Sequence, residues 1–241
     1  MDLTEKIEIP RRTMVLFFVI DTSGSMFGSK IGAVNAAIDE VIPDLKDVSN
    51  TNADALIKIA VLEFSTGAKW IPLTENGPVE VENFRWTHLN ASGITDLGAA
   101  CRALKEKLSA TTGFMKEATG SYAPVIILLS DGEPTDNYQH ALSELKQNNW
   151  FKVAIKVAIA IGDDANKDVL AEFTGYSEAV IDVHNKEALK AMIKFVSVRA
   201  SQVASGPQDL TGLGDAAKQQ TVNQDIQTQI ATQPNNDQGE W

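Results

Sequence analysis

The sequence predicts a three-layer α/β sandwich, in which helices cover both faces of a mostly parallel sheet. Runs of consecutive apolar residues, typical of parallel strands buried on both faces, alternate along the chain with segments whose apolar residues recur every three or four positions, typical of helices. The length of 241 residues and the hydrophobic fraction of 44% suffice for one domain with a full core and an appendage.

The strands are predicted from short apolar runs that are rich in β-branched residues. Residues 13–20 (TMVLFFVI) and 125–129 (VIILL) are apolar almost throughout, so both belong at the centre of the sheet. The run at 69–73 is short and soon meets Gly77 and Pro78, which favours an antiparallel or edge strand. The remaining predicted strands cover residues 56–64, 153–161 and 179–183.

The helices are predicted from the helical spacing of their apolar residues. They cover residues 31–45, 95–108, 136–145, 167–173 and 186–201. Pro43 marks the last turn or a kink of the first helix, because proline lacks the N–H that a helix interior uses. Asp136 is a candidate N-cap of the third helix. Cys101 lies on the apolar face of the second helix, so we expect it in the core.

Charge and composition exclude several classes of function. The net charge of -11 repels nucleic-acid phosphates and anionic membranes, so neither is expected as the main partner. No stretch approaches the roughly 20 apolar residues that span a bilayer, and the run that begins at Met14 is too short for a secretory signal. A single cysteine provides no internal disulfide. We therefore expect a soluble, cytoplasmic protein.

The composition changes at about residue 203, where large apolar residues give way to Gln, Asn, Asp, Gly and Thr. We predict a domain over residues 1–202 and a polar, acidic tail over 203–241. Val222, Ile226 and Ile230 recur every four residues in this tail, which leaves two alternatives open: a disordered or loosely docked tail, or a segment that folds against a partner or its own domain. For Glu240 and Trp241, a frayed end is favoured over an anchoring role.

Oxygen-bearing side chains follow the first strand. Residues 21–25 (DTSGS) place the carboxylate of Asp21 and the hydroxyls of Ser23 and Ser25 on a tight loop. By itself, this segment is equally well explained as a turn that caps the next helix. Thr95 opens the second predicted helix and Asp131 follows a strand, which brings both to the same sheet edge. Ligands of open α/β sheets bind at this carboxyl edge, so we expect the functional site there.

The three segments resemble the metal-ion-dependent adhesion site of the von Willebrand factor A (VWA) family, and the resemblance covers about residues 13–200. It implies a Rossmann-like VWA sandwich with one antiparallel edge strand. It also implies that Ser23, Ser25 and Thr95 bind a divalent cation directly, and that Asp21 and Asp131 bind it directly or through water. The wording DTSGSM, SGITDLGAA and LLSDGEPTD is most similar to the bacterial cytoplasmic TerY-like branch, which is associated with tellurium resistance.

The family resemblance implies a protein-binding function. In the family, an Asp or Glu of a protein partner completes the coordination sphere of the metal. For the TerY-like branch, the resemblance implies stress-response assemblies that include kinase or phosphatase proteins. The alternative is a structural scaffold, in which the metal only stabilises the loops and the tail mediates assembly.

The ligand set favours Mg²⁺, a hard cation that prefers oxygen, although Mn²⁺ and Ca²⁺ accept the same oxygens. Zinc is not expected, because the one cysteine is predicted to be core and the three histidines show no paired spacing. Of these histidines, His88 lies in the loop before Thr95, where it could approach the rim of the site. We predict no enzymatic activity, because the sequence lacks a G-x-S-x-G elbow, a phosphate-binding loop and an H-E-x-x-H motif.

Overall fold

A computed structural model describes residues 10–117, 120–163, 165–206 and 214–232. Seven strands form one sheet: β1 (Arg12–Asp21), β2 (Ala55–Ser65), β3 (Gly67–Trp70), β4 (Val79–Glu80), β5 (Val125–Ser130), β6 (Ile155–Ile161) and β7 (Val180–Val183). Their order is β3-β2-β1-β5-β6-β7, and β4 also pairs with β2. Neighbours from β2 to β7 are parallel, whereas β3 and β4 run antiparallel to β2. The predicted fold class is confirmed.

Seven α-helices accompany these strands in the described part of the chain: α1 (Ser29–Thr51), α2 (Leu97–Lys107), α3 (Tyr138–Gln147), α4 (Asn149–Val153), α5 (Lys167–Thr174), α6 (Lys186–Ser205) and α7 (Gly214–Thr232). The prediction that Pro43 lies near the end of its helix is wrong, because α1 continues to Thr51. Beyond the proline, Leu45 and Val48 remain buried, so tertiary packing extends the helix.

Several other boundaries differ from the sequence prediction, among them the starts of α3 and β6. The cap of α3 is Asn137, and Asp136 instead accepts a hydrogen bond from the N–H of Gly98 in the first turn of α2, at 3.1 Å. Asp136 therefore ties two loops together. The sixth strand begins at Ile155, because Asn148 caps the short helix α4 by accepting from the N–H groups of Trp150 and Phe151.

Apolar side chains fill both sides of the sheet. Along β1, Met14, Leu16, Phe18 and Ile20 point into the core layer that contains α1 and α6, while Val15, Phe17 and Val19 point into the layer that contains α2, α3 and α5. This alternation confirms that β1 is a central strand buried on both faces. Cys101 lies in the second layer as predicted, and burial raises the pKa of its thiol to about 12.

The region assigned to the tail contains a helix that packs on the domain. Helix α6 continues to Ser205, past the boundary at residue 202, and α7 follows. Val222 and Ile226 of α7 are buried in the same layer as α6, and Ile230 is partly buried against it. The structure thus shows residues Gly214–Thr232 as a helix docked on the domain. Glu240 and Trp241 lie outside the described residues.

One contact of α7 extends the hydrogen bonding of the sheet. The N–H of Lys156 donates to Oε1 of Gln219 at 2.7 Å, and Nε2 of Gln219 donates to the carbonyl of Lys156 at 3.0 Å. Pairing between β6 and β7 begins only at Ala158. The Gln219 amide therefore satisfies backbone groups that the short β7 leaves without a strand partner.

None of the described helices is long and apolar enough to cross a bilayer.

Candidate metal centre

The ends of β1 and β5 lie side by side. These strands are parallel neighbours, with Ile20 opposite Leu129. Asp21 is the last residue of β1, and Asp131 directly follows β5. Because parallel strands end at the same sheet edge, the topology brings the two predicted carboxylates together.

Hydrogen bonds link the predicted side chains of this edge. Oδ1 of Asp21 accepts from the N–H of Ser23 at 2.8 Å, and the Ser23 and Ser25 hydroxyls are 3.0 Å apart. The hydroxyl of Ser25 donates to Oδ1 of Asp131 at 2.7 Å. Ser23 precedes a short 3-10 helix (Gly24–Met26) without capping it through its side chain, and the N-cap of α1 is Gly28.

Thr95 faces the same point from a third loop. A Cβ placed on Gly132 would lie 3.4 Å from the hydroxyl oxygen of Ser25, 3.4 Å from that of Thr95 and 4.0 Å from Oδ2 of Asp21. Oxygens from three loops thus surround the place where this glycine has no side chain. The structure therefore brings together all five residues predicted from the sequence.

The sequence analysis missed three residues that hold this arrangement. Ser130 donates its hydroxyl to Oδ2 of Asp21 at 2.7 Å, and Nζ of Lys30 donates to Oδ2 of Asp131 at 2.6 Å. The backbone N–H of Thr135 donates to the carbonyl of Thr95 at 2.8 Å. Ser130 and Thr135 belong to the LLSDGEPTD segment. The only feature of the sequence that could have pointed to them is that each adds a hydroxyl near Asp131. Lys30 looked like an ordinary helix lysine.

The two carboxylates differ in charge compensation, although both side chains are fully buried. Asp131 is paired with Lys30. Among the described residues, no lysine, arginine or histidine forms an ion pair with Asp21. Burial raises the pKa of the Asp21 carboxyl, and hydrogen bonds from Ser23 and Ser130 offset only part of that rise. A buried carboxylate without a counter-charge favours a bound cation.

The donor set fits a hard divalent ion. The five side chains offer only hydroxyl and carboxylate oxygens, the ligands that Mg²⁺, Mn²⁺ and Ca²⁺ prefer. Only two of these five side chains are carboxylates, and within the described ranges there is no group of three or more His, Cys, Asp or Glu that could hold a metal. A metal at this site would therefore depend on the hydroxyls. His88 does not approach the rim, because its Nε2 lies 2.7 Å from Oδ2 of Asp39 on α1. His184 pairs with Asp163.

The fold and the site together define an α/β domain with a hydroxyl-rich candidate cation site at the carboxyl edge of its sheet. A family model of the von Willebrand factor type A domain matches residues 16–195. The chain belongs to this family, whose members are generally protein-interaction modules.

The individual proteins that the chain resembles share little sequence identity with it. The chain is 27% identical to inter-alpha-trypsin inhibitor heavy chain H6 of Homo sapiens over 173 residues, which are 67% of this chain and 12% of that protein. It is similar to a von Willebrand factor type A structure from Catenulispora acidiphila, with a TM-score of 0.57, 20% identity, and coverage of 78% of this chain and 42% of the other.

A third relative carries a metal. Proximal thread matrix protein 1 from the mussel byssus, solved with a zinc-occupied MIDAS (metal-ion-dependent adhesion site) motif, has a TM-score of 0.58 and 17% identity. The match covers 78% of this chain and 48% of that chain. At such identities, the solved structures establish the shared fold.

Proposed function

We propose that this chain is a metal-dependent protein-interaction module. Asp21, Ser23, Ser25, Thr95 and Asp131 would hold the divalent cation, and an Asp or Glu of a protein partner would complete its coordination. The observation that carries the proposal is the convergence of Ser25, Thr95 and Asp21 oxygens beside Gly132. It gathers ligands from three loops at one sheet edge.

The charges of the site support binding of an acidic partner. Three of the five ligand side chains are neutral hydroxyls, and Lys30 already compensates Asp131. A bound cation would therefore keep much of its positive charge and offer it to an incoming carboxylate. A partner carboxylate would otherwise be repelled by a chain of net charge -11. Metal loading would thus control whether the partner binds.

We propose Mg²⁺ as the resident metal, with Mn²⁺ and Ca²⁺ as competitors for the same oxygens. Zinc belongs in any comparison of metals, because the mussel protein has a zinc-occupied MIDAS motif. We propose a binding role without enzymatic activity. We also propose a cytoplasmic setting, supported by the single cysteine. The wording of the three motifs alone supports a TerY-like, tellurium-resistance assembly with kinase or phosphatase partners.

Thermal melts test the metal. The wild type, Asp21→Ala and Thr95→Ala are melted with Mg²⁺ and with a chelator, and Thr111→Ala, a change at an exposed position whose side chain hydrogen-bonds only to Ser109 among the described residues, serves as the control. Mg²⁺ should stabilise the wild type and the control by about 2.7 kcal/mol at a hundredfold excess over Kd. The Asp21 and Thr95 variants should fold but lose this gain. An unchanged wild-type melt would contradict metal binding.

A pull-down with the same variants separates binding from scaffolding. Under the proposal, the wild type captures partners with Mg²⁺ and releases them with chelator, and Asp21→Ala captures none. If the metal raises the melting temperature but capture is equal with and without it, the scaffold alternative is favoured instead.

A further inference from the structure

The most exposed large apolar side chains of the described residues lie beside the candidate metal centre. Phe27 is 77% exposed and Ile94 is 49% exposed, followed by Leu73 at 43% and Tyr176 at 37%. Phe27 comes two residues after Ser25, and Ile94 directly precedes Thr95. Single exposed apolar residues are common, but two next to ligands of one site are not expected by chance.

These two residues belong to loops that touch. The N–H of Gly24 donates to the carbonyl of Gly93 at 3.0 Å, and the N–H of Phe27 donates to the carbonyl of Gly24 at 3.2 Å. Two hydrogen bonds thus connect the backbone of Phe27 with the residue before Ile94. We name this pair, Phe27 and Ile94, the apolar rim.

The backbone holds the rim in place. Gly93 has φ +86°, and a Cβ at this position would come within 2.6 Å of Oγ1 of Thr66, so only glycine fits. Gly28, directly after Phe27, has φ +85°. Such positive φ angles favour glycine, and they fix the course of both loops. The exposure of the rim is therefore built into the loops that carry the ligands.

The Ile94 loop contacts Thr66 at the end of β2, whereas the side of the centre toward β5 and β6 carries acidic side chains. Glu133, two residues after Asp131, is exposed, and Asp163 after β6 has 89% of its side chain exposed. On this side Glu133 would repel a second acidic group of a partner, whereas Asp163 is paired with His184. Among the described residues, the large exposed apolar side chains beside the centre are Phe27 and Ile94, so an apolar side chain next to the partner carboxylate would find a matching surface on their side.

We propose that the apolar rim selects the partner: the segment that binds carries a large apolar residue directly beside the Asp or Glu that reaches the metal. This inference rests on the proposed function, since the carboxylate places the segment. The metal centre supplies attachment, and the rim supplies selectivity by covering the apolar residue of the partner.

Peptide selection tests the proposal. A phage library of random seven-residue peptides is panned on the whole chain with Mg²⁺ and eluted with chelator. Panning is repeated on Phe27→Ser/Ile94→Ser, on Asp21→Ala, and on Leu73→Ser as a matched control. Leu73 follows Ile71, whose N–H bonds to the carbonyl of Val61 in mid-β2, away from the carboxyl edge. Magnesium-dependent melts verify that each rim and control variant retains the site.

The expected result has two parts. The wild type and Leu73→Ser should enrich peptides with Asp or Glu next to Phe, Trp, Leu or Ile, whereas the rim variant should enrich acidic peptides without the apolar neighbour. The best wild-type peptide, measured by fluorescence polarisation, should bind the rim variant about tenfold more weakly and Leu73→Ser nearly unchanged.

Other outcomes overturn the proposal in distinguishable ways. If no acidic peptide elutes with chelator, the proposed function fails and the rim inference with it. If acidic peptides lack an apolar neighbour and the rim variant binds them equally, only the inference fails. If apolar peptides also bind Asp21→Ala, the rim makes a metal-independent contact and the inference is wrong. The inference is also wrong if the wild type is a dimer in size-exclusion chromatography and the rim variant is a monomer, because the rim then binds a second copy of the chain.

Discussion

The two ends of the sheet bury charge in opposite ways. At the carboxyl end, Asp21 and Asp131 are fully buried, and only Asp131 has a cationic partner among the described residues. At the amino end, Lys156 of β6 is buried at 7% exposure, and its Nζ donates to the carbonyls of Phe151 and Ala154 at 3.0 and 2.8 Å. One end gathers anionic oxygens, and the other surrounds a single amine with carbonyls.

This difference separates the candidate metal centre from a structural site. The amine of Lys156 is satisfied by the chain itself, and burial lowers its pKa to about 8, so that the group can lose its charge. At the other end, carboxylate and hydroxyl oxygens surround the position of Gly132, which has no side chain. A buried charge is a functional signal where the protein leaves a complementary ion to be supplied from outside.

The largest predicted effect concerns the pH dependence of stability at the amino end. The Lys156 pKa is near 10.5 in the unfolded chain and about 8 in the fold. Below pH 8, both states are protonated and the buried charge costs stability. Between about pH 8 and 10.5, only the unfolded state holds the proton, so the free energy of unfolding rises, by roughly 3 kcal/mol. Urea denaturation at pH 7 and pH 10 measures this gain.

Lys156→Met should lack the rise, because methionine does not titrate. Lys152→Met, a change at an exposed lysine four positions earlier, should keep it. The other titrating groups are shared by all three proteins and cancel in the comparison. If Lys156→Met shows the same rise as the wild type, the buried amine is not the group that titrates.

The second effect concerns the contact that covers this end. Gln219→Ala removes both hydrogen bonds to the backbone of Lys156 and leaves a buried N–H and a buried carbonyl without partners. We expect a loss of about 2 kcal/mol in the free energy of unfolding. Gln220→Ala, at an exposed neighbouring position, should change little.

The metal site provides a contrast for the same variant. Gln219→Ala should leave the stabilisation by Mg²⁺ unchanged, since the two ends share no side chains. Loss of metal binding in this variant would show that the ends are coupled.

The sequence predicted one end of the sheet much better than the other. Asp21, Ser23 and Ser25 follow a strand within five residues, so their placement depends on local spacing and on the edge to which the strand leads. Lys156, within VAIKVAIAI, gives no such signal. The partner of its backbone, Gln219, lies 63 residues away in sequence, in a segment of weak apolar pattern.

The same reasoning explains the missed residues of the site. Thr95 could be predicted because it lies in a recognisable motif, whereas the contact between Lys30 and Asp131 joins residues 101 positions apart. Nothing in the sequence around a lysine in the first turn of a helix indicates that it pairs with a buried carboxylate. Tertiary contacts of this kind become visible only when the strands are placed.

The smallest predicted effect tests whether Lys30 competes with the metal. Its Nζ lies 2.6 Å from Oδ2 of Asp131, so a divalent cation bound beside this carboxylate would meet a positive charge nearby. Lys30→Met removes that repulsion and leaves Asp131 in greater need of a cation. Mg²⁺ should then bind three- to tenfold more tightly, about 1 kcal/mol, in isothermal titration calorimetry. Lys30→Arg keeps the charge and should bind Mg²⁺ like the wild type. Weaker binding to Lys30→Met would mean that the lysine positions Asp131 for the metal, and the carboxyl end would then supply part of its own order, as the amino end does.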